Sequence, residues 1–208
     1  MTELSPVATL LGPTDHRAPG RRRYSAGRAV SHSEVLVVDP EDRPVPAGVV
    51  GEIVSRGAHV MLGYWNRPEE TAAALRGGWM HTGDAGYLDE DGYLFVVDRI
   101  KDMIVSGGEN IYSAEVEKVL SGHPAVAQCA IVGIPDDRYG ERVHAVVILA
   151  EGARAEPADL REYVAERIAR YKAPRSVSFV EEFPVSGAGK ILKRDLRVSP
   201  GQILPTST

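Results

Sequence analysis

The sequence has little cysteine and no long apolar run, and each shortage excludes a class of protein. Its 208 residues include one cysteine, Cys129, so no disulfide can form within the chain. A lone thiol in the apolar run Val126–Val132 is typical of a buried, unreactive side chain, and it fits a reducing, cytoplasmic location. No apolar run approaches the length of a membrane span, and residues 1–11 lack the basic start of a signal peptide.

Positive charge is also in short supply. The 24 Lys and Arg residues are outnumbered by 29 Asp and Glu residues, which gives a formal net charge of -5. This balance argues against a nucleic-acid partner, because surfaces that bind nucleic acid are usually basic. The cluster Arg21–Arg23 is a local exception, and a solvated loop explains it more simply than a phosphate-binding patch does.

The pattern of apolar residues predicts two parts. Residues 1–33 are rich in Gly, Pro and Arg and are predicted as loop, after which short strands dominate as far as residue 97. From residue 98 to residue 197 strands alternate with helices, which predicts a compact α+β domain of roughly one hundred residues that can fold alone. Residues 198–208 are predicted as a tail. Strands are expected at Glu34–Asp39, Val50–Ser55, Gly86–Leu88, Tyr93–Val97, Ala127–Ile134, Val143–Leu149 and Ser176–Val180, with helices starting at Pro68, at a capping Ser113 and near Pro157.

Three short motifs are candidates for chemistry, and each is weak alone. Ser186–Lys190 offers a lysine among glycines, but Pro184 and Ile191 stand where a phosphate-binding Walker A loop needs Gly and Ser or Thr. The adjacent glycines Gly107–Gly108 indicate either close approach to a ligand or a bulge. Asp84 follows a polar loop, where an acid is more often a cap or a turn former than a ribose ligand.

The order of six motifs along the chain is far more specific than any one of them. Together they closely resemble the adenylate-forming family, which comprises acyl-CoA synthetases, peptide-synthetase adenylation domains and luciferases. The resemblance covers nearly all of residues 1–197 and is strongest to the fatty-acyl and medium-chain CoA ligases. The motifs are Gly51–Ile53, Gly63–Pro68, Gly78–Asp84, Asp98–Asp102, Ser106–Ile111 and Gly189–Arg194.

The resemblance implies an architecture and an incomplete enzyme. Residues 1–97 would be a distorted, β-barrel-like remnant of the family's large AMP-binding domain, and residues 98–197 its small α+β C-terminal domain. Met1–Pro6 is similar to the end of a family segment that contacts nucleotide and magnesium, so Met1 resembles an internal methionine. The phosphate loop and the acyl pocket precede this segment in the family, and the missing large domain would be a partner of this chain.

The resemblance also implies roles for individual residues. Lys190 matches the lysine that assists formation of acyl-AMP, where fixed positive charge stabilises developing negative charge. Asp84 matches the acid that accepts both ribose hydroxyls, and Arg99 matches an arginine at the ribose or phosphate. The other assignments are Thr2 beside the phosphate, Glu3 as the Mg²⁺ ligand, Asp98 as the hinge between the domains, and Gly107 and Gly108 in a strand that lines the pantetheine tunnel of CoA.

Two functions stay open at this point. The first is part of a ligase that converts a carboxylic acid (a fatty acid, by resemblance), ATP and CoA into acyl-CoA, AMP and pyrophosphate, with the isolated chain inactive in adenylation. The alternative is a non-catalytic, stand-alone interaction module, which the missing phosphate loop favours. Intact Lys190 and Asp84 favour the ligase, because a module freed from catalysis has no physical need for them. A peptide-synthetase adenylation domain is disfavoured, since no carrier domain follows Arg197.

Overall fold

A computed structural model describes residues 1–187 and 189–197, and the chain divides into two compact units. The first unit comprises Met1–Lys101 and the second begins at Asp102. The predicted tail, residues 198–208, lies outside the described residues. In the part of the chain that the structure describes, no helix is long and apolar enough to cross a membrane.

The first unit is built on a four-stranded antiparallel sheet whose strands follow one another in chain order. Successive side chains of a strand point to opposite faces, and the alternate apolar residues Val37, Ile53 and Leu94 pack together in the core of this unit. The strands are β3 (Ser33–Val38), β4 (Gly51–Gly57), β5 (Met80–Leu88) and β6 (Leu94–Arg99).

Residues 1–33 contain short regular elements where loop was predicted. Strand β1 (Thr9–Leu10) pairs with β2 (Arg28–Ala29), and helix α1 (Pro13–His16) lies between them in the chain. A two-residue strand has no alternation to detect in a sequence, which explains the wrong prediction. Helix α2 (Pro68–Ala74) begins with proline, as expected from the rigid backbone of that residue.

The strands of the first unit do not close into a barrel. The four-stranded sheet and the β1–β2 pair are separate sheets, and residues 1–101, all of which are described, contain no further sheet. The mixed α and β character of the chain is confirmed, whereas the barrel-like description of residues 1–97 is not. The ranges 1–97 and 98–197 stay a prediction as domains of an enzyme.

The second unit is a five-stranded sheet with helices. Strand β10 is its centre, since it pairs antiparallel with β9 along its length and parallel with β11 on its other edge. Side chains of β10 alternate between two apolar clusters, one of which contains both helices. The elements are β7 (Ile104–Ser106), β8 (Glu109–Ile111), α3 (Ser113–Leu120), β9 (Val126–Asp136), β10 (Gly140–Leu149), α4 (Pro157–Ala165) and β11 (Ser176–Phe179).

The start of α3 differs from the prediction. Tyr112 occupies the cap position, and Ser113 is the first residue of the helix. The Ser113 side chain is completely buried, and its hydroxyl oxygen accepts a hydrogen bond from Lys193 Nζ at 2.7 Å. A serine before an apolar helical pattern indicates a cap. Here the serine hydroxyl is hydrogen-bonded to a residue distant in the sequence instead.

Candidate functional site

Asp84 and Arg99 face each other on adjacent strands of the first unit. Asp84 in β5 pairs with Arg99 in β6, and the distance from Asp84 Oδ1 to Arg99 Nε is 3.7 Å. Burial raises the pKa of the Asp84 carboxyl, and the positive charge of Arg99 counteracts part of that shift. The Asp84 side chain keeps 35% of its surface exposed, so its oxygens are accessible to a ligand's hydroxyl groups.

A cavity of about 240 Å³ lies beside Asp84 within the first unit. Ser55, Thr82 and Asp84 are among its polar lining residues, and the start of the chain, including Met1 and Leu4, lines it as well. A whole drug-sized ligand usually occupies roughly 300 Å³ or more. This cavity therefore has the size for part of a nucleotide, with an aspartate in its lining.

Thr2 and Glu3 lie on a short 3₁₀ helix, Thr2–Leu4, that the buried Leu4 anchors. Glu3 Oε1 accepts a hydrogen bond from the Tyr64 hydroxyl at 3.1 Å, and the Glu3 carbonyl accepts one from Met61 N–H at 2.8 Å. Burial and the nearby Glu3 raise the pKa of Tyr64. Mg²⁺ in nucleotide sites is usually held by one or two carboxylates together with substrate phosphates, so the single, partly exposed carboxylate of Glu3 fits that ion.

Lys190 lies in a hairpin loop of the second unit with its side chain exposed. The backbone of the loop is fixed at its neck, because Ser186 N–H donates to the Lys190 carbonyl and Leu192 N–H to the Pro184 carbonyl, both at 2.8 Å. Ser186 Oγ accepts from Lys190 N–H at 3.2 Å. The loop thus exposes the Lys190 ammonium group to solvent, while hydrogen bonds hold the neck of the loop.

The segment after Lys190 is attached to helix α3. Lys193 Nζ lies 2.7 Å from Glu117 Oε1, and Glu117 Oε1 also accepts from Ile131 N–H at 2.9 Å. Leu196 is buried in the apolar core of this unit. These contacts set the position from which the Lys190 loop projects.

Gly107 and Gly108 lie outside the strand that the family resemblance implied, and Asp98 lies within a strand. The two glycines are the central residues of the hairpin turn between β7 and β8, with φ of 62° and 85°, and so are not in a strand. Such left-handed conformations favour glycine. Asp98 lies inside β6 opposite Ala85, before the boundary between the compact units. Neither finding tests the tunnel or hinge roles.

Glu52 belongs to the Gly51–Ile53 motif, but no role for it was predicted from the sequence. Its carboxylate is only 17% exposed, and it accepts hydrogen bonds from Gly83 N–H at 3.1 Å and, on its other oxygen, from His81 Nδ1 at 2.9 Å. His81 is buried, as expected of a structural histidine. A charged residue within an apolar strand was the available signal for Glu52, because a buried charge needs partners.

The surroundings of Cys129 disfavour its thiolate form. The side chain is partly buried, and burial, aided by Glu117, raises its pKa to about 11. Since the thiolate is the nucleophilic form, this environment agrees with the prediction from the sequence. Among the described residues, no cluster of three metal-ligating side chains occurs.

Comparison with known proteins identifies two family models. The model for AMP-binding enzymes matches residues 1–65, and the model for the AMP-binding enzyme C-terminal domain matches residues 115–190. The chain is 48% identical to a feruloyl-CoA synthase of Amycolatopsis sp. over 197 residues, which are 95% of this chain and 40% of that protein. It is 45% identical to the fatty acid–[acyl-carrier-protein] ligase ScoC of Streptomyces coeruleorubidus, over 95% of this chain and 38% of that protein.

A solved structure has the same fold. The o-succinylbenzoate CoA synthetase (MenE) of Bacillus subtilis, in complex with the acyl-adenylate intermediate OSB-AMP, matches with a TM-score of 0.87 and 36% identity. The match covers 96% of this chain and 40% of that protein. The chain thus spans about 40% of the length of the relatives it matches. Its two matched regions, its ordered motifs and its fold show that the chain belongs to the family of AMP-binding enzymes.

Proposed function

We propose that this chain is part of an ATP-dependent acid–thiol ligase that makes acyl-CoA. In the first step a carboxylate oxygen attacks the α-phosphorus of ATP, forming acyl-AMP and releasing pyrophosphate. In the second step the CoA thiol attacks the acyl carbon and loses its proton, and AMP leaves. The observation that carries the proposal is the Asp84–Arg99 pair, whose aspartate lines a cavity of part-nucleotide size in a chain of this family.

Asp84 and Arg99 are proposed to hold the nucleotide. A carboxylate can accept two donors at once, so Asp84 would accept the 2′ and 3′ hydroxyls of the ribose. Arg99 would donate to ribose or phosphate oxygens from the neighbouring strand, where its side chain is 54% exposed. Thr2 would lie beside the phosphate, and Glu3 would hold Mg²⁺, which neutralises phosphate charge when bound.

Lys190 is proposed to assist the first step. Its ammonium would stabilise negative charge on the α-phosphate and on the attacking carboxylate, and an exposed loop gives it the reach to do so. The proposal includes residues 1–97 as the end of the large domain, possessing a remnant of its barrel-like part, and residues 98–197 as the small domain. Asp98 would be the hinge between the two domains in the change from the first step to the second. Gly107 and Gly108 would leave room for the pantetheine arm of CoA.

The acid is proposed to be a fatty acid, on the motif resemblance and on the relative ScoC, whose name includes that substrate. The other relatives are named for ferulate and o-succinylbenzoate. A substrate panel therefore needs both alkyl and aryl acids. CoA is the proposed thiol, and a cytoplasmic location stays a prediction.

Nucleotide binding by the chain itself tests the proposal. We expect AMP to shift NMR signals around Asp84 and to bind more tightly than 2′,3′-dideoxy-AMP, which lacks both ribose hydroxyls. Asp84→Asn should remove that difference, whereas Asp91→Asn, in an exposed turn of the same unit, should preserve it. A non-catalytic interaction module would show no preference for AMP, and that result would favour the alternative function.

A further inference from the structure

Strand β5 carries extra residues at the point where it reaches Asp84. Along the β4–β5 ladder, Glu52 pairs with Ala85 and Val54 pairs with His81. Three residues, 82–84, therefore lie opposite Ile53 alone. A bulge of this kind leaves backbone groups without ladder partners and re-aims the side chains within it.

Side chains satisfy the backbone groups of this bulge. Thr82 Oγ1 donates to the Ile53 carbonyl at 2.7 Å and accepts from Asp84 N–H at 3.1 Å. Gly83 has a φ of 70°, which glycine tolerates well, and its N–H donates to Glu52 Oε1 at 3.1 Å. Glu52 thus receives the backbone donor that immediately precedes Asp84.

The Glu52 carboxylate is itself held in place. Its second oxygen accepts from His81 Nδ1 at 2.9 Å and from Arg76 at 3.1 Å. Arg76 also donates to both carboxylate oxygens of Asp42, each at 3.2 Å. A carboxylate with partners on both oxygens has little rotamer freedom, which makes it a rigid support for Gly83.

We propose that Glu52 is the positioning residue that sets the Asp84 carboxylate for the ribose hydroxyls. The inference rests on the proposed function, because it takes Asp84 as the ribose ligand. Glu52 itself contacts no ribose in this assignment and acts through Gly83. The structure also explains why threonine and glycine precede Asp84. The threonine hydroxyl donates a hydrogen bond to the Ile53 carbonyl, and the glycine permits the left-handed backbone conformation.

The test compares Glu52→Gln and Glu52→Ala in the 208-residue chain, with Glu34→Gln as the matched control. Glu34 lies on the neighbouring strand of the same sheet in an exposed ion pair with Arg56, away from the bulge. Glutamine keeps an oxygen that can accept from Gly83, and alanine does not. Two readouts are needed: hydrogen exchange of the Gly83 amide, and NMR-measured affinity for AMP and for 2′,3′-dideoxy-AMP.

For Glu52→Ala we expect Gly83 exchange to accelerate by about 10-fold or more, as loss of a hydrogen bond to a charged group implies. AMP affinity should fall about 10-fold or more, while dideoxy-AMP affinity should stay as in the parent chain. In both readouts Glu52→Gln should lie between the parent chain and Glu52→Ala, and Glu34→Gln should match the parent chain. If Glu52 had a merely structural role, Glu52→Ala would reduce the affinities for AMP and for dideoxy-AMP equally.

Unchanged Gly83 exchange in Glu52→Ala, or equal losses for the two nucleotides, would overturn the proposal. If the parent chain itself binds AMP and dideoxy-AMP equally, the ribose role of Asp84 fails and the proposal falls with it. Gly83 exchange then still reports separately whether Glu52 holds the bulge. Should Glu52→Ala not fold, Glu52→Gln decides: a selective loss of AMP affinity supports the proposal, and a parent-like ratio overturns it.

Discussion

His144 illustrates how a single buried side chain can make stability depend on pH. It is completely buried, and its Nδ1 lies 2.8 Å from Ser176 Oγ, while Nε2 finds no partner within the described ranges. Burial, together with the charge of Arg142, lowers the pKa of His144 in the folded chain. The neutral ring is therefore the form that the folded second unit accommodates.

The direction of the pH effect follows from that lowered pKa. Below the unfolded value of about 6.5, the unfolded chain binds a proton that the folded chain does not, so folding becomes less favourable. We expect the free energy of unfolding of the second unit to be highest above the unfolded pKa of His144. It should decrease as the pH falls from the unfolded pKa towards the folded pKa. Urea titrations from about pH 5 to about pH 8 would measure this. His144→Gln should flatten the profile, whereas the same change at exposed His16 should leave its slope intact.

Which residues the sequence could identify depends on where their partners lie. Asp84, Arg99 and Lys190 were predicted from ordered motifs, and the structure gives each of them an accessible position. Glu52 was missed because its role depends on a register shift between two strands. That shift arises from three-dimensional pairing, and no spacing in the sequence reports it.

At the scale of elements, long periodic segments and the four-residue strand β11 were predicted well, whereas strands of two or three residues were not. Strands β9 and β10 and helix α4 lie where their apolar patterns indicated. Strands β7 and β8 have three residues each, which is too few for alternation to appear in the sequence. The strand expected at Gly107 and Gly108 came from the family resemblance, and the structure has a turn there. Ser113 does not cap α3 as expected, because its hydroxyl oxygen accepts a hydrogen bond from Lys193 instead.

Two glycines with similar backbone conformations should respond differently to alanine. Gly92 has a φ of 78° and open space around it, whereas Gly27 has a φ of 86° and a side-chain carbon there would lie 2.0 Å from the Leu10 carbonyl oxygen. Gly92→Ala should cost only the backbone strain of about 1 kcal/mol. Gly27→Ala should destabilise the first unit by about 3 kcal/mol or more, because the backbone of β1 must move. Denaturant titration of both variants measures the difference, and equal losses would contradict the contact.

The Lys193–Glu117 pair should stabilise the second unit more than a surface pair does. Its side chains are 19% and 25% exposed, and Glu117 also accepts from Ile131 N–H. Glu117→Gln leaves Lys193 partly buried without its counter-ion, so we expect a loss of about 2 kcal/mol in the free energy of unfolding. The control is Glu162→Gln, whose partner Arg170 is 77% exposed and whose pair should contribute no more than about 0.5 kcal/mol. A Glu117→Gln loss as small as that of the control would refute the assignment.

At the scale of the whole molecule, the motifs predicted the family and the mixed α and β fold class. Their order identified the family, and the matched relatives confirm it. The barrel-like shape expected of residues 1–97 is not confirmed, because a family resemblance does not report which strands pair in a chain that spans about 40% of its relatives. A proline at Asp98 would disturb β6 beside Asp84, so such a variant would alter the proposed nucleotide site as well as the proposed hinge.

Lys190 offers the cleaner test at this scale. We expect a protein that joins this chain to the preceding region of its feruloyl-CoA synthase relative to catalyse both half-reactions. In it, Lys190→Ala should slow acyl-AMP formation by about 10²–10³-fold, because a preorganised charge at a developing anion is lost. Conversion of supplied acyl-AMP and CoA should proceed at nearly the parental rate. Lys118→Ala, at an exposed lysine of the same unit, should leave both steps unchanged. Single-turnover assays measure each step separately: if Lys190→Ala slows the two steps equally, the lysine serves both, and its proposed role in the first step alone is wrong.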